Sequence, residues 1–150
     1  MKTFPGAVLV SETLSREEVY ALESACDCFV SLHRSEGFGL VPAECMAFGK
    51  PAIATGWSGN LEYMRPENAA LVDFELVGLD YDLGPYRRDE EWAEPNLDHA
   101  AQLMRELVTD SARREQLGSA ARESIQRTLS PEAVGRRLRD RLEWIARRRG

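Results

Sequence analysis

The run Glu36-Gly37-Phe38-Gly39-Leu40-Val41-Pro42-Ala43-Glu44 sets two carboxylates around a glycine-bracketed loop that enters a short helix. Gly37 and Gly39 remove β-carbons where backbone must turn and approach a ligand. Pro42 is tolerated in a first helical turn, where an N–H would have no partner. The unpaired amides and the positive dipole end of such a helix make an anion site. A carboxylate is repelled by bound phosphate, so Glu36 and Glu44 read as acceptors for sugar hydroxyls. With Glu44 one to two turns into the helix, both are expected to border one pocket from opposite sides. An anion-binding helix end with hydroxyl-reading carboxylates fits a nucleotide sugar.

The neighbouring segments supply the scaffold. Cys28 to Leu32 is short and rich in strand formers, as in a parallel strand buried on both faces, and Glu36 follows its carboxyl end. Gly49 and Pro51 stop the helix, which spans roughly Leu40 to Phe48. A strand over Ala52 to Thr55, a short helix near Asn60 to Met64 and a strand over Ala69 to Val72 follow. Upstream, Ala7 to Val10 reads as the first strand. Ser15-Arg-Glu-Glu18 is a capping box opening a helix to about Ala25, with Val19, Leu22 and Ala25 inward. The alternation predicts an α/β domain, a Rossmann-like parallel sheet with helices on both faces and its ligand at the carboxyl edge.

The stretch 73 to 95 is less regular, with a return strand over Glu75 to Gly78 and a turn at Leu83-Gly-Pro-Tyr86. A C-terminal helical segment covers about 97 to 147. Its first helix, 97 to 109, turns Leu97, Ala100, Ala101, Met104, Leu107 and Val108 inward. Asp110 caps the next helix. Ser130-Pro131 opens the last, whose apolar stripe is Val134, Leu138, Leu142 and Ile145.

The 150 residues suit a single domain, 1–150. The net charge of −6 is an awkward sign for holding a diphosphate. Residues 136 to 150 carry seven arginines against Asp140 and Glu143, net +5, so the remainder carries about −11. Lys50 precedes a strand and belongs at its far end, which leaves Arg34 as the cation nearest the loop. Cys26, Cys28 and Cys45 form no C-x-x-C pair and, with two histidines, no zinc site. Neither a signal peptide nor an apolar run near the ~20 residues of a spanning helix is present. A cytoplasmic protein with no nucleic-acid partner is expected, and the oligomeric state is open.

Glu36 to Glu44, with seven residues between, resembles the E-x7-E signature of the retaining glycosyltransferases of the GT-B fold, the group often called family 4 or group 1. Ser31 to Leu40, Glu44 to Thr55 and Ser58-Gly59-Asn60-Leu61-Glu62 follow that family's pattern in order and spacing. The resemblance implies that Glu36 contacts and places the transferred sugar and that Glu44 binds the nucleotide ribose. It further implies that backbone around Gly37, Phe38, Gly39 and Leu40 approaches the sugar and diphosphate, and that Ser58, Gly59 and Asn60 line the same cleft. It implies a nucleotide-diphosphate sugar as donor substrate, no metal or other cofactor, and a role in bacterial polysaccharide or glycoconjugate synthesis. By this resemblance the chain is most of the C-terminal, donor-binding half of a GT-B enzyme. The upstream strands, a basic Arg/Lys pair and the N-terminal acceptor domain have no counterpart, so a fragment or split product, inactive alone, is expected. Cys45 stands where the family commonly has alanine.

Competing readings are weaker. No G-x-G-x-x-G follows a predicted strand, against a dinucleotide oxidoreductase. A glycoside hydrolase would pair carboxylates without needing an anion-binding helix start. A non-catalytic nucleotide-sugar-binding module is the principal alternative. Asp80-Tyr81-Asp82 looks like the D-x-D metal motif of a different glycosyltransferase fold but falls in a turn-rich insert, and is read as no metal site. His33 is read as structural at a strand end. Trp92-Ala-Glu-Pro95 resembles a version seen in polysaccharide-building members, with packing and ligand contact equally open. For the arginine-rich last helix, Leu138 and Leu142 docked on the domain is the preferred reading, and weak peripheral contact with the inner membrane face is its alternative.

Overall fold

A computed structural model describes residues 5–149. Three parallel strands, β1 (Phe29–Ser31), β2 (Ala52–Thr55) and β3 (Ala70–Val72), form the central sheet in that order, with Val30 opposite Ile53 and Ile53 opposite Ala70. Helices α1 (Arg16–Ala25) and α2 (Leu40–Ala47) flank β1 in the chain, and a 3-10 turn (Gly59–Glu62) joins β2 to β3. A separate antiparallel hairpin, β4 (Phe74–Gly78) and β5 (Glu91–Pro95), precedes α3 (Leu97–Thr109), α4 (Ser111–Leu129) and α5 (Pro131–Arg149).

β2 is the buried axis of the domain. Because side chains alternate along a strand, Ala52 and Ala54 face one layer with Met46 of α2, Tyr63, Met64 and Ala121 of α4. Ile53 faces the other with Val72, Ala100 and Leu107 of α3 and Leu117 of α4. Small residues at 52 and 54 let α2 lie close to the sheet. This is the α/β architecture expected, with α2 on one face, α3 on the other and α4 reaching both layers.

Local signals set the helix ends. The Ser15 hydroxyl accepts from Glu18 N–H, and the Glu18 carboxylate accepts from Ser15 N–H at 2.8 Å. Asn96, Asp110 and Ser130 cap α3, α4 and α5 through bonds from His99, Arg113 and Ala133 N–H. Gly39 and Gly49, at φ of 83° and 77°, bracket α2.

Five expectations on packing fail, mostly because the sheet is only three strands wide. Ala7 to Val10 forms no strand and pairs with none of the described strands, and Val8 is 88% exposed. β1 is an edge strand, so Val30 is half-exposed rather than covered on both faces. On α1, Leu22 points outward and Glu23 is the buried residue. Leu97, Met104 and Val108 of α3 lie exposed, the last two lining an open groove with Val30 and Ile53 of the sheet, and Leu138 and Leu142 of α5 are 59% and 58% exposed instead of docked.

Gly118 of α4 crosses α2 at its C-terminus, where an added β-carbon would overlap the Gly49 carbonyl. In an open helix Gly→Ala stabilises by about 1 kcal/mol. Here the backbone clash is expected to win, so Gly118→Ala should destabilise by about 2 kcal/mol, read as a lower urea midpoint.

Candidate functional site

The loops after β1 and β2 are joined by backbone. Ser58 Oγ accepts from Glu36 N–H and donates to Glu36 C=O, both at 2.8 Å, and Gly59 N–H donates to the same carbonyl at 2.9 Å. A β-carbon at Gly59 would overlap the Gly37 carbonyl, so only glycine permits this approach. Ser58 takes a positive φ of 72°, alone among the described non-glycine residues. The cost of that conformation is offset by its two hydrogen bonds to Glu36. Asn60, fully buried, donates from Nδ2 to Thr55 C=O at 3.1 Å and so ties the turn to the end of β2. Asn60 Oδ1 and Thr55 Oγ1 are buried without a protein partner.

Tyr63 supports the other side. Its hydroxyl donates to Gly39 C=O at 2.5 Å, and its ring lies 5.1 Å from that of Phe38. A β-carbon on Gly39 would stand 2.7 Å from Tyr63 Oη and 2.9 Å from Pro42 Cγ. Burial, with the Glu36 carboxylate second, pushes the Tyr63 phenol well above its usual range, so it remains a donor. The first intrahelical bond of α2 runs from Ala43 N–H to Gly39 C=O, leaving the amides of Leu40 and Val41 among the orphan donors of a helix start.

Glu36, Gly37, Ser58 and Gly59 are therefore contiguous, with Phe38, Gly39 and Leu40 entering α2 beside them and Asn60 beneath. Glu36 lines a cavity with Ser31, Phe38, Gly39 and Leu40. Glu44 lines a second groove with Ala43, Ala47 and Leu129. Phe38 and Leu40 border both, so the expected single pocket is divided by these two side chains. Glu44 turns toward α1, where its Oε1 accepts from Arg16 Nη1 at 3.1 Å and Tyr20 Oη at 3.3 Å.

The cation expected near the loop is engaged elsewhere. Arg34 makes a bidentate pair with Glu94 at 2.7 and 2.9 Å and lies 4.9 Å above the Trp92 ring. The Arg34 hydrogen bonds hold the Glu94 carboxyl below its usual range. With Ala93 N–H donating to Arg34 C=O at 3.0 Å, they fasten the hairpin to the site loop. Trp92-Ala-Glu-Pro95 thus acts as a packing anchor. His33 is held between Ser31 Oγ and Trp57 C=O. Asp80 and Asp82 sit in the exposed hairpin tip, and the described residues contain no cluster of three metal-ligating side chains.

Sequence reading missed Arg16, Tyr20, Glu23 and Tyr63. The i,i+4 spacing of Arg16 and Tyr20 places them on one helix face, but only the packing of α1 on α2 shows that Glu44 meets that face. Nothing in the spacing links Tyr63 to Gly39.

The fold is an α/β domain whose polar loops and helix start converge beyond the carboxyl ends of the strands, the edge where open α/β sheets bind ligands. Residues 4–76 match the family described as Glycosyl transferases group 1, a segment that contains Glu36, Glu44 and the Ser58–Asn60 turn. That segment is similar to glycosyltransferases in general. No curated protein matches the chain.

Glu23 lies behind Glu44, 6% exposed, with neither carboxylate oxygen hydrogen-bonded. Burial, then the Glu44 charge, raises its pKa, and Arg16 partly offsets them. The folded chain therefore holds the Glu23 proton more tightly than the unfolded one. Stability from this group is fully present below the ordinary glutamate range and is lost as pH rises through the folded value. Glu23→Gln should remove that decline, raising stability at neutral pH and leaving it unchanged in acid, as measured by urea unfolding across pH.

Proposed function

We propose that the chain binds a nucleotide-diphosphate sugar at the carboxyl edge of its sheet and serves retaining transfer of a hexose to an acceptor, in bacterial polysaccharide or glycoconjugate synthesis. The observation that carries this reading is the α2 start at Gly39–Leu40, with Glu36 beside it and the Ser58–Asn60 turn bonded against it. The group 1 similarity over the same residues supports it.

In this reading the diphosphate lies at the Leu40 and Val41 amides. As the sugar–oxygen bond breaks, negative charge grows on the leaving phosphate and these fixed dipoles stabilise it. Positive charge grows at the sugar ring, where the Glu36 carboxylate orients the hydroxyls and offsets that charge. The acceptor hydroxyl enters from the face the diphosphate leaves and passes its proton to the departing phosphate. Glu44 uses Oε1 on Arg16 and Tyr20 and keeps Oε2 for a ribose hydroxyl. The chemistry requires no metal ion. The acceptor is supplied by a second, N-terminal-type domain.

Two substitutions separate the roles. Glu44→Ala should weaken binding of nucleoside diphosphates at least about tenfold by calorimetry, the scale of a charged hydrogen bond. Glu36→Gln should leave nucleoside diphosphate affinity unchanged and weaken only the sugar-bearing donor. Unchanged affinity in Glu44→Ala would remove the ribose assignment.

A further inference from the structure

Helix α5 leaves the body of the protein. Ala133 in its first turn is buried, and Arg137 Nη2 donates to Thr128 C=O at the end of α4. From Val134 onward every residue with a described side chain is exposed except the half-buried Ile145. Val134, Leu138, Leu142 and Ile145, spaced by four, four and three, form one apolar stripe about 17 Å long. Leu138 and Leu142 at its middle stay exposed, while Val134 at its start borders Ile125 and Leu129 of α4. Among the described residues no helix is long and apolar enough to cross a membrane.

The charges around that stripe are ordered. Arg137, Arg141 and Arg148 run along one side and Arg139, next to Glu132, along the other, whereas Asp140 and Glu143 fall on the opposite face with Arg136 and Arg147. The Arg141 and Arg148 guanidinium groups lie 4.2 and 4.0 Å from the Trp144 ring, on the arginine side. Arg147 pairs with Glu143 at the back, so this acid is partly neutralised there. A helix with an apolar stripe, flanking arginines and a nearby tryptophan matches a bilayer interface, where alkyl groups enter the acyl boundary and guanidinium groups meet phosphates.

We propose that α5 docks on an anionic lipid surface, its Val134–Leu138–Leu142–Ile145 stripe inserted and its flanking arginines on the headgroups. Charge complementarity selects this occupant. The rest of the chain, at about −11, is repelled by such a surface, so contact falls to the projecting helix alone. The inference is independent of the glycosyl-transfer reading.

Flotation of the full chain with vesicles tests it. The chain should float with phosphatidylcholine vesicles containing phosphatidylglycerol, not with phosphatidylcholine alone, and added salt should release it. Arg141→Gln with Arg148→Gln should weaken binding more than about tenfold, at ~1 kcal/mol per arginine near the surface. Leu138→Gln with Leu142→Gln should abolish it while circular dichroism and the melting curve stay unchanged, since both side chains are exposed. Equal binding to neutral vesicles, or none to either, would overturn the proposal. So would a dimer in sedimentation velocity that the leucine pair disrupts while the vesicles take up nothing.

Discussion

The site depends on one close approach of backbone to backbone. The turn at Ser58–Gly59 lies against the loop at Glu36–Gly37 with no β-carbon between them. Three hydrogen bonds converge there on the backbone of Glu36. This contact holds together the carboxyl ends of β1 and β2, two loops that would otherwise be free to part. It also fixes the direction in which the chain enters α2, because Gly39, two residues on, is clamped by the Tyr63 hydroxyl. The aim of the helix start therefore follows from a few uncharged hydrogen bonds and two glycines.

Electrostatics in this acidic chain are local pairings. Arg34 is held by Glu94 and the Trp92 face, and Arg16 is held by Glu44. Each arginine fixes an element, the hairpin in one case and α1 in the other. Glu23 shows the opposite circumstance, a buried carboxyl with no partner, next to Glu44 and beside Cys45, whose thiol burial pushes up to about 12. Burial raises the pKa of such a group and so makes its charge costly. The α1–α2 contact thus holds an unpaired carboxyl on its inner side and an ion pair, Arg16 with Glu44, on its outer side.

The narrow sheet explains the pattern of exposed apolar residues. A three-stranded sheet cannot cover helices as long as α3, α4 and α5, so Met104 and Val108 are left in an open groove beside the β1 edge and α5 projects altogether. The core is correspondingly concentrated on β2, whose four residues are all buried. Packing is dense on both faces of β2 and sparse toward the β1 edge and along α5.

Local chemistry made much of this legible from sequence. Capping residues at 15, 96, 110 and 130, glycines at 39 and 49 and the apolar run at 52–55 identify the α/β elements, because each acts within a few residues of itself. The glycine-bracketed loop, its helix start and the 58–60 turn were legible for the same reason. Strand pairing is not local, and Ala7 to Val10, though composed of strand formers, has no neighbour to bond among the described residues. Helical periodicity names the apolar face of α3 or α5 but cannot say whether anything lies opposite. The division of Glu36 from Glu44 by Phe38 and Leu40, and the meeting of Glu44 with Arg16 and Tyr20, were decided only by tertiary packing. They depend on how α1 rests on α2, a distance of 28 residues along the chain that no spacing rule spans.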